Sequence, residues 1–200
     1  SLLGSDVFGE SVVKKVILLF RKLFFWDALI VKSVAMNAFL KNEDGYIIPN
    51  GVNLSLFKPL NSIECKIKLS WDTSLKHILF VANPKRREKN YDLAKNSVVG
   101  LHNNGVKLHV LDNIPHSDIP IWLNAADIII LSSLWEGSPN VIKEAMASNR
   151  PIVSTNVGDV KWLFGNESGH YLTGHSLDDF SSNIIKALSY SENSGITKGR

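Results

Sequence analysis

The stretch DIIILSSLWEGSPNVIKEAMA, residues 127–147, contains the change of pattern that indicates the fold. It begins with a continuous apolar run at 127–133, which has the length of a buried strand. After a Gly-Ser-Pro-Asn turn, apolar residues recur at helical spacing over 139–149. A buried strand that leads through a short turn into a helix is the repeating unit of an α/β fold.

The same alternation of strand and helix continues on both sides of this stretch. Three further apolar runs have the length of buried strands: HILFVAN (77–83), KLHVLD (107–112) and PIVSTN (151–156). Helical patterns follow at about 90–103, 119–125, 159–164 and 176–190. We therefore expect an α/β fold with a Rossmann-like parallel sheet flanked by helices. Ligands bind beyond the carboxyl ends of such strands, so the loops that follow them are the candidate sites.

Composition narrows the functional classes. Two hundred residues with 44% hydrophobic content are enough for one sizeable core, or for one domain and part of another. A net charge of +3 is too small to indicate a nucleic-acid partner, but it is compatible with an anionic small ligand. The single cysteine, Cys65, excludes an internal disulfide and a cysteine-based zinc site, so the cytoplasm is the expected compartment.

The N-terminal region has a different character. The chain begins without Met inside an apolar run, so we expect it to be part of a longer protein. Residues 9–25 have the pattern of a basic amphipathic helix, which either packs on a domain or makes peripheral contact with an anionic membrane surface. The most apolar segment, 16–31, contains three charged residues, so we do not expect it to span a membrane.

A short strand, a short helix and a linker are expected next. DALIVKS (27–33) is a short apolar run typical of a strand, and residues 34–41 have the length of a short helix. The segment 45–60 contains Pro, Asn and Gly in succession at 49–51, which favours a turn, and we interpret it as a hinge or linker.

The turn inside the opening stretch is a candidate anion site. Ser138 is expected to cap the helix and Pro139 to occupy its first position. The amides of Asn140 and Val141 would then lie unpaired at the positive end of the helix dipole, where phosphate binds well. The alternative is an ordinary capped helix with solvated glutamates on either side.

Charged side chains on two loops indicate which anion could bind. Glu136 and Glu144 bracket the turn, and carboxylates accept hydrogen bonds well from sugar or ribose hydroxyls. The loop ANPKRREKNY (82–91) after the first strand carries four cations, which form either a solvated surface or a diphosphate clamp. Together these groups suit a nucleotide-sugar, in which a diphosphate is flanked by hydroxyls on both sides.

These segments together resemble the retaining GT-B glycosyltransferases of family 4. The resemblance covers residues 45–190 and rests on four segments: Glu136-x7-Glu144, YIIPNGVNLSLFKP (46–59), REKN (87–90) and STNVGDVKWL (154–163). It implies that the chain is mainly the C-terminal, donor-binding half of such an enzyme. The implied division is a remnant of the N-terminal acceptor-side domain at 1–44, an interdomain linker at 45–60 and the donor-binding domain at 61–200.

The resemblance also implies roles for particular residues. Lys89 matches the phosphate-binding lysine, Glu136 the glutamate near the donor sugar, and Glu144 the glutamate on the ribose hydroxyls; we take Lys89 and Glu136 as the catalytic pair. The full set of implied substrate-binding residues is Arg86, Arg87, Lys89, Glu136, Gly137, Ser138, Pro139, Asn140, Val141 and Glu144. The chain has no Asp-x-Asp, so no metal is implied, and the nucleoside diphosphate sugar is a substrate, so no cofactor is implied either.

The sequence departs from the family pattern at three points. Ala82 and Asn83 stand where an arginine usually follows the first strand, and either Arg86 or Arg87 is expected to replace it. Leu3 stands where a histidine is common, and most of the N-terminal domain is absent from the chain.

The resemblance implies the partners of the protein and leaves two alternative functions open. It implies a nucleotide-sugar donor, and a carbohydrate or lipid-linked acceptor held through the N-terminal domain. The alternatives are a nucleotide-sugar epimerase of the same architecture and a non-enzymatic nucleotide-binding module.

The histidines show no metal-ligand spacing. We therefore expect His102, His109 and His116 to be structural. The loop at 112–120, which contains His116, is also a candidate for contact with the nucleotide base.

Overall fold

The computed structural model describes residues 30–39, 46–101 and 105–199. The expectations for the basic helix at 9–25, for Leu3 and for His102 lie outside these residues. In chain order the strands are β1 Ile30–Val31, β2 Tyr46–Ile47, β3 Lys76–Phe80, β4 Val106–Val110, β5 Ile128–Leu131, β6 Ile152–Thr155 and β7 His170–Thr173. The helices are α1 Val34–Phe39, α2 Ser62–Lys68, α3 Tyr91–Val99, α4 Ile119–Ala125, α5 Asn140–Ala147, α6 Val160–Phe164 and α7 Leu177–Ser194, with a 3-10 turn at Arg87–Lys89.

Five strands form one parallel sheet in the order β4-β3-β5-β6-β7. The expected α/β fold is therefore confirmed, with the four predicted strands in adjacent positions. The prediction was incomplete at β7, whose sequence HYLT contains polar residues and gives no apolar run. The prediction had also left out α2, which precedes the sheet.

The strand order reverses between β3 and β5. From β3 the chain moves outward to β4 and then crosses to the other side of β3 to form β5. The helices that follow β3 and β5, α3 and α5, therefore lie on opposite faces of the sheet, and such a reversal leaves a crevice at its carboxyl edge. This point of reversal is where ligands bind in open parallel sheets.

Alternating residues of the central strands pack against helices on both faces. In β3, Leu79 belongs to a core cluster with residues of α4, α5 and α6, while its neighbours Ile78 and Phe80 belong to a second cluster with residues of α3 and α7. Each strand residue points to the face opposite that of its neighbour, so strands covered on both faces are apolar throughout. Two packed layers of helices hold the carboxyl edge of the sheet rigidly.

The segment before the sheet is tied to it. β1 and β2 form a separate parallel pair, and Phe57, only 1% exposed, inserts into the core cluster of the first face. Asn124 of α4 accepts a hydrogen bond from the Leu60 amide at 2.9 Å and donates one to the Lys58 carbonyl at 3.1 Å. The end of the expected linker is thus packed on the sheet domain, while the domain boundaries themselves stay a prediction.

In the part of the chain that the structure describes, none of the helices combines the length and the apolar character needed to cross a membrane.

Candidate functional site

Two loops meet where the strand order reverses. The amide of Leu134, in the loop after β5, donates a 2.8 Å hydrogen bond to the carbonyl of Glu88, in the loop after β3. The Ser132 hydroxyl lies 2.9 Å from the carbonyl oxygens of Lys89 and Asn90. Asn90 adopts a left-handed conformation, φ 49°, which asparagine tolerates better than most residues, and α3 begins directly after it. These bonds fix the two loops against each other.

Lys89 and Glu136 form an ion pair across the two loops. Lys89 Nζ lies 2.5 Å from Glu136 Oε1, and the two side chains are only 14% and 15% exposed. The same carboxylate oxygen accepts a 2.8 Å hydrogen bond from Ser133 Oγ, whose backbone carbonyl is bound in turn by Thr155 Oγ1 at 2.7 Å. The two residues predicted to be catalytic are therefore in contact, and their charges offset each other.

A cavity of about 420 Å³ opens at this pair. Eight of the predicted substrate-binding residues line it: Arg86, Lys89, Glu136, Gly137, Ser138, Pro139, Asn140 and Val141. Five further residues that the sequence had not indicated share the lining: Lys32, Asn50, Val81, Glu88 and Trp135. Arg86 is ion-paired with Glu88. Arg87, in the 3-10 turn, is exposed and does not belong to the described lining, and neither does Glu144.

The prediction that Ser138 caps α5 was wrong. The capping position is Pro139, no side chain bonds the first amides of the helix there, and the helix begins at Asn140. Ser138 Oγ instead donates a 2.6 Å hydrogen bond to Asp159 Oδ2 and accepts one from Lys143 Nζ. A hydrogen bond to a charged group is stronger than one to a backbone amide, so the hydroxyl turns away from the helix.

The loop after β6 supports the turn that precedes α5. Gly158 has φ +58°, and a Cβ atom at this position would lie 2.4 Å from the Gly137 carbonyl oxygen. The backbone can pass this close only because glycine has no side chain. The next residue, Asp159, holds Ser138, so two consecutive residues position the wall of the cavity. Burial raises the pKa of the Asp159 carboxyl, against the lowering effect of the Ser138 hydrogen bond and of Lys143.

Glu144 lies one turn into α5 and contacts His116. Its Oε1 is 3.2 Å from His116 Nε2, while the His116 ring also packs edge-on against Phe57. Burial raises the pKa of Glu144, and the His116 hydrogen bond partly offsets that increase. Through this contact the loop at 112–120 reaches α5, and the His116 side chain is 63% exposed. Its contact with a nucleotide base stays a prediction.

Two of the unexpected lining residues, Lys32 and Asn50, come from segments that precede the five-stranded sheet in the sequence. Asn50, noted only as a turn residue, donates a 3.1 Å hydrogen bond from Nδ2 to Asn140 Oδ1 at the start of α5. Lys32 follows β1 directly and had been considered only as part of an apolar run. The available signal was a lysine at the carboxyl end of a strand, which is where parallel folds place binding residues.

A larger cavity of about 800 Å³ adjoins the first one and shares Lys32 with it. Its walls include Val34, Ile47 and Trp162, and they are mainly apolar. The smaller cavity has the cations and the backbone amides at a helix start that suit an anionic ligand, so it is the better candidate site despite the greater volume of its neighbour.

The described residues contain no group of three or more His, Cys, Asp or Glu side chains placed to hold a metal ion. The expectation that no metal is recruited stays a prediction.

Comparison with known proteins identifies a family. A family model described as "Glycosyl transferases group 1" matches residues 75–190, which is more than half of the chain. The chain is 34% identical over 71 residues to the UDP-Gal:alpha-D-GlcNAc-diphosphoundecaprenol alpha-1,3-galactosyltransferase of Escherichia coli, covering 35% of this chain and 18% of the relative. It is 41% identical over 56 residues to the teichuronic acid biosynthesis glycosyltransferase TuaC of Bacillus subtilis (strain 168), covering 28% and 14% respectively.

The solved structures show the same architecture. The structure of Anabaena HepE in complex with UDP and glucose superimposes with a TM-score of 0.73 at 17% sequence identity, over 90% of this chain and 58% of HepE. This likeness supports the fold, and it matches the five-stranded parallel sheet to the GT-B glycosyltransferases. The chain spans less than two thirds of HepE, and its matches cover less than a fifth of the two curated relatives.

Proposed function

The chain belongs to the group 1 glycosyl transferases, and we propose that it supplies the donor-binding part of a retaining enzyme. The reaction is the transfer of a sugar from a nucleoside diphosphate sugar to an acceptor. Residues 61–200 form the donor-binding domain in this proposal, and residues 1–60 contribute the linker and the acceptor side. The proposal is carried by the Lys89–Glu136 pair, which lies in a cavity at the reversal of strand order.

In this proposal Lys89 binds the diphosphate. Its ammonium exchanges the Glu136 carboxylate for phosphate oxygens when the donor enters, because a diphosphate carries more negative charge than one carboxylate. Arg86, which exchanges its Glu88 partner for phosphate in the same way, and the amides of Asn140 and Val141 also meet the diphosphate in this proposal. As the glycosidic bond breaks, negative charge grows on the leaving diphosphate, and these groups stabilise it without reorganisation.

Glu136, once released from Lys89, accepts hydrogen bonds from donor-sugar hydroxyls in this proposal. Its Ser133 hydrogen bond holds the carboxylate in place during the exchange. We assign it a positioning role toward the sugar and no nucleophilic attack, since a neighbouring carboxylate alone does not establish a covalent intermediate. Glu144 takes the ribose hydroxyls, which replace His116 as its partner.

The relatives guide the choice of partners. One is named for a UDP-galactose donor and a diphosphoundecaprenol-linked acceptor, and another for teichuronic acid biosynthesis. We therefore propose a hexose donor, a carbohydrate or lipid-linked acceptor and a place in the synthesis of a cell-envelope polysaccharide. The epimerase is not favoured, because the family match is to transferases. A nucleotide-binding module without activity would keep the cavity and its cations, so binding alone does not separate it from the proposal.

Calorimetric titration of the chain with UDP-, GDP- and ADP-sugars tests the donor site. We expect saturable binding of one base class, with the nucleoside diphosphate sugar bound more tightly than the free nucleoside. A folded protein that binds none of these compounds would refute the donor site. For the transfer step, release of nucleoside diphosphate in the presence of membrane lipid extract separates an enzyme from a binding module.

A further inference from the structure

The charges that line the cavity do not balance. Its described lining contains three cations, Lys32, Arg86 and Lys89, and two carboxylates, Glu88 and Glu136. Arg86 is paired with Glu88, and Lys89 is paired with Glu136. Of the three basic residues that the sequence placed in the site, the two that line the cavity, Arg86 and Lys89, are therefore already neutralised by neighbours. One positive charge is left over, and it belongs to Lys32.

Lys32 is almost buried but has no acidic partner among the residues that the structure describes. Lys32 as a whole is only 8% exposed. The other buried lysines differ in this respect, because Lys66 pairs with Asp127 and Lys143 bonds Ser138 beside Asp159. An ammonium removed from water without a counter-charge is costly, so such a group is commonly found where an anionic ligand supplies the charge.

The charge of Lys32 adds to that of Lys143. Burial lowers the pKa of Lys143, Asp159 raises it, and the positive charge of Lys32 lowers it again. Lys32 and Lys143 therefore lie in one region, where the carboxylates of Asp159 and Glu144 both act on Lys143. This region borders the turn at Gly137–Asn140, where backbone amides also attract anions.

We infer that Lys32, which lines the same cavity as Lys89, binds the diphosphate of the nucleotide-sugar donor. This inference rests on the proposed function and extends it. Lys32 follows β1, before the linker segment, whereas Lys89 lies in the loop after β3 of the five-stranded sheet. A diphosphate held by both lysines joins the two parts of the chain across the cavity. Donor binding would then also hold the segment that carries β1 against the sheet domain.

Substitution of Lys32 by methionine tests this role. Lys32→Met keeps most of the aliphatic stem and removes the charge, and Lys32→Arg keeps the charge. We expect Lys32→Met to weaken UDP, or the nucleoside diphosphate of the preferred base, by about tenfold or more and the free nucleoside by less than about twofold. Lys32→Arg should bind both ligands nearly as the unmodified chain does. Thermal unfolding of each variant shows whether the fold is retained.

Lys161→Ala is the matched control. Lys161 is an exposed lysine that lines the larger cavity and does not belong to the described lining of the smaller one, so its loss should leave diphosphate binding unchanged. Unchanged diphosphate affinity in a folded Lys32→Met chain would overturn the inference, and so would equal losses for diphosphate and nucleoside. Binding of no nucleotide by the unmodified chain would instead refute the proposed donor site, so the two failures are distinguishable.

Discussion

Charged residues of the cavity lining form ion pairs, Lys89 with Glu136 and Arg86 with Glu88. Lys89 and Glu136 lie 2.5 Å apart and reduce each other's availability to a ligand. A nucleoside diphosphate lacks the donor sugar, so it offers Glu136 no donor-sugar hydroxyls and gains only from the lysine while it separates the pair. A complete nucleotide-sugar can satisfy both side chains at once. In the proposed function the pair would therefore favour the intact donor over the product that leaves after transfer.

Glu136→Gln should tighten nucleoside diphosphate binding. The amide keeps the shape of the side chain but no longer neutralises Lys89, so we expect the dissociation constant for UDP to fall by about threefold or more, on the scale of a partly buried ion pair. Glu192→Gln is the control, because Glu192 pairs with Lys76 outside the cavity lining. Calorimetry at low salt measures the affinity of both variants for UDP. A weaker affinity for UDP in Glu136→Gln would contradict this account of the ion pair.

At the scale of elements, the cavity depends on three loops that follow adjacent strands. The loop after β3 carries Lys89, the loop after β5 carries Glu136, and the loop after β6 supports the loop after β5 through Gly158 and Asp159. The sequence predicted the first two loops because each follows an apolar run and carries obvious charges. It did not predict the support from the third, since Ser138 had an equally plausible role as a helix cap.

The limits of the sequence prediction have physical causes. The strands β3 to β6 were predictable because a sheet covered on both faces requires continuous apolar runs. β7 was missed because it mixes polar with apolar residues. Lys32 was missed because only the folded chain brings β1 beside a loop more than fifty residues later, and periodicity within a segment carries no such information.

Gly158→Ala tests the support by the third loop. The new methyl group would meet the Gly137 carbonyl oxygen at 2.4 Å, so the turn before α5 must shift. We expect a loss of about 2–4 kcal/mol in the free energy of unfolding, together with weak or absent nucleotide binding. Gly105→Ala is the control, because Gly105 also has a positive φ but its nearest neighbour would lie at 3.7 Å. Equal effects of the two substitutions on nucleotide affinity would contradict the supporting role.

At the scale of the whole molecule, His109 and His170 limit the pH range over which the fold is stable. Burial lowers the pKa of His109 to about 4, with further contributions from His77 and Lys107. His77 Nε2 donates to the Asp72 carbonyl at 2.8 Å, so its Nδ1 accepts from His109 Nε2 at 2.9 Å, and both rings are neutral. Burial also lowers the pKa of His170 to about 4. The expectation that His109 is structural agrees with this arrangement.

The fold should therefore lose stability as the pH falls. His109 and His170 have pKa values in the folded state below those in the unfolded chain, so between pH 6.5 and 4 the unfolded state binds more protons. We expect each to lower the free energy of unfolding by roughly 2 kcal/mol at pH 5 relative to neutral pH. Urea denaturation at several pH values measures this change. His170→Phe should remove the part due to His170, and an unaltered pH dependence in that variant would contradict the assignment.

The most direct test of the donor site is the effect of Lys89→Ala on two ligands. The account predicts that this change weakens a nucleoside diphosphate by about tenfold or more and the corresponding nucleoside by less than about twofold, because only the diphosphate meets the ammonium. Lys85→Ala, an exposed lysine of the same loop that does not belong to the described lining of the cavity, is the control and should change neither affinity. Equal losses for diphosphate and nucleoside in Lys89→Ala, or no loss for either, would contradict a diphosphate site between the loops after β3 and β5.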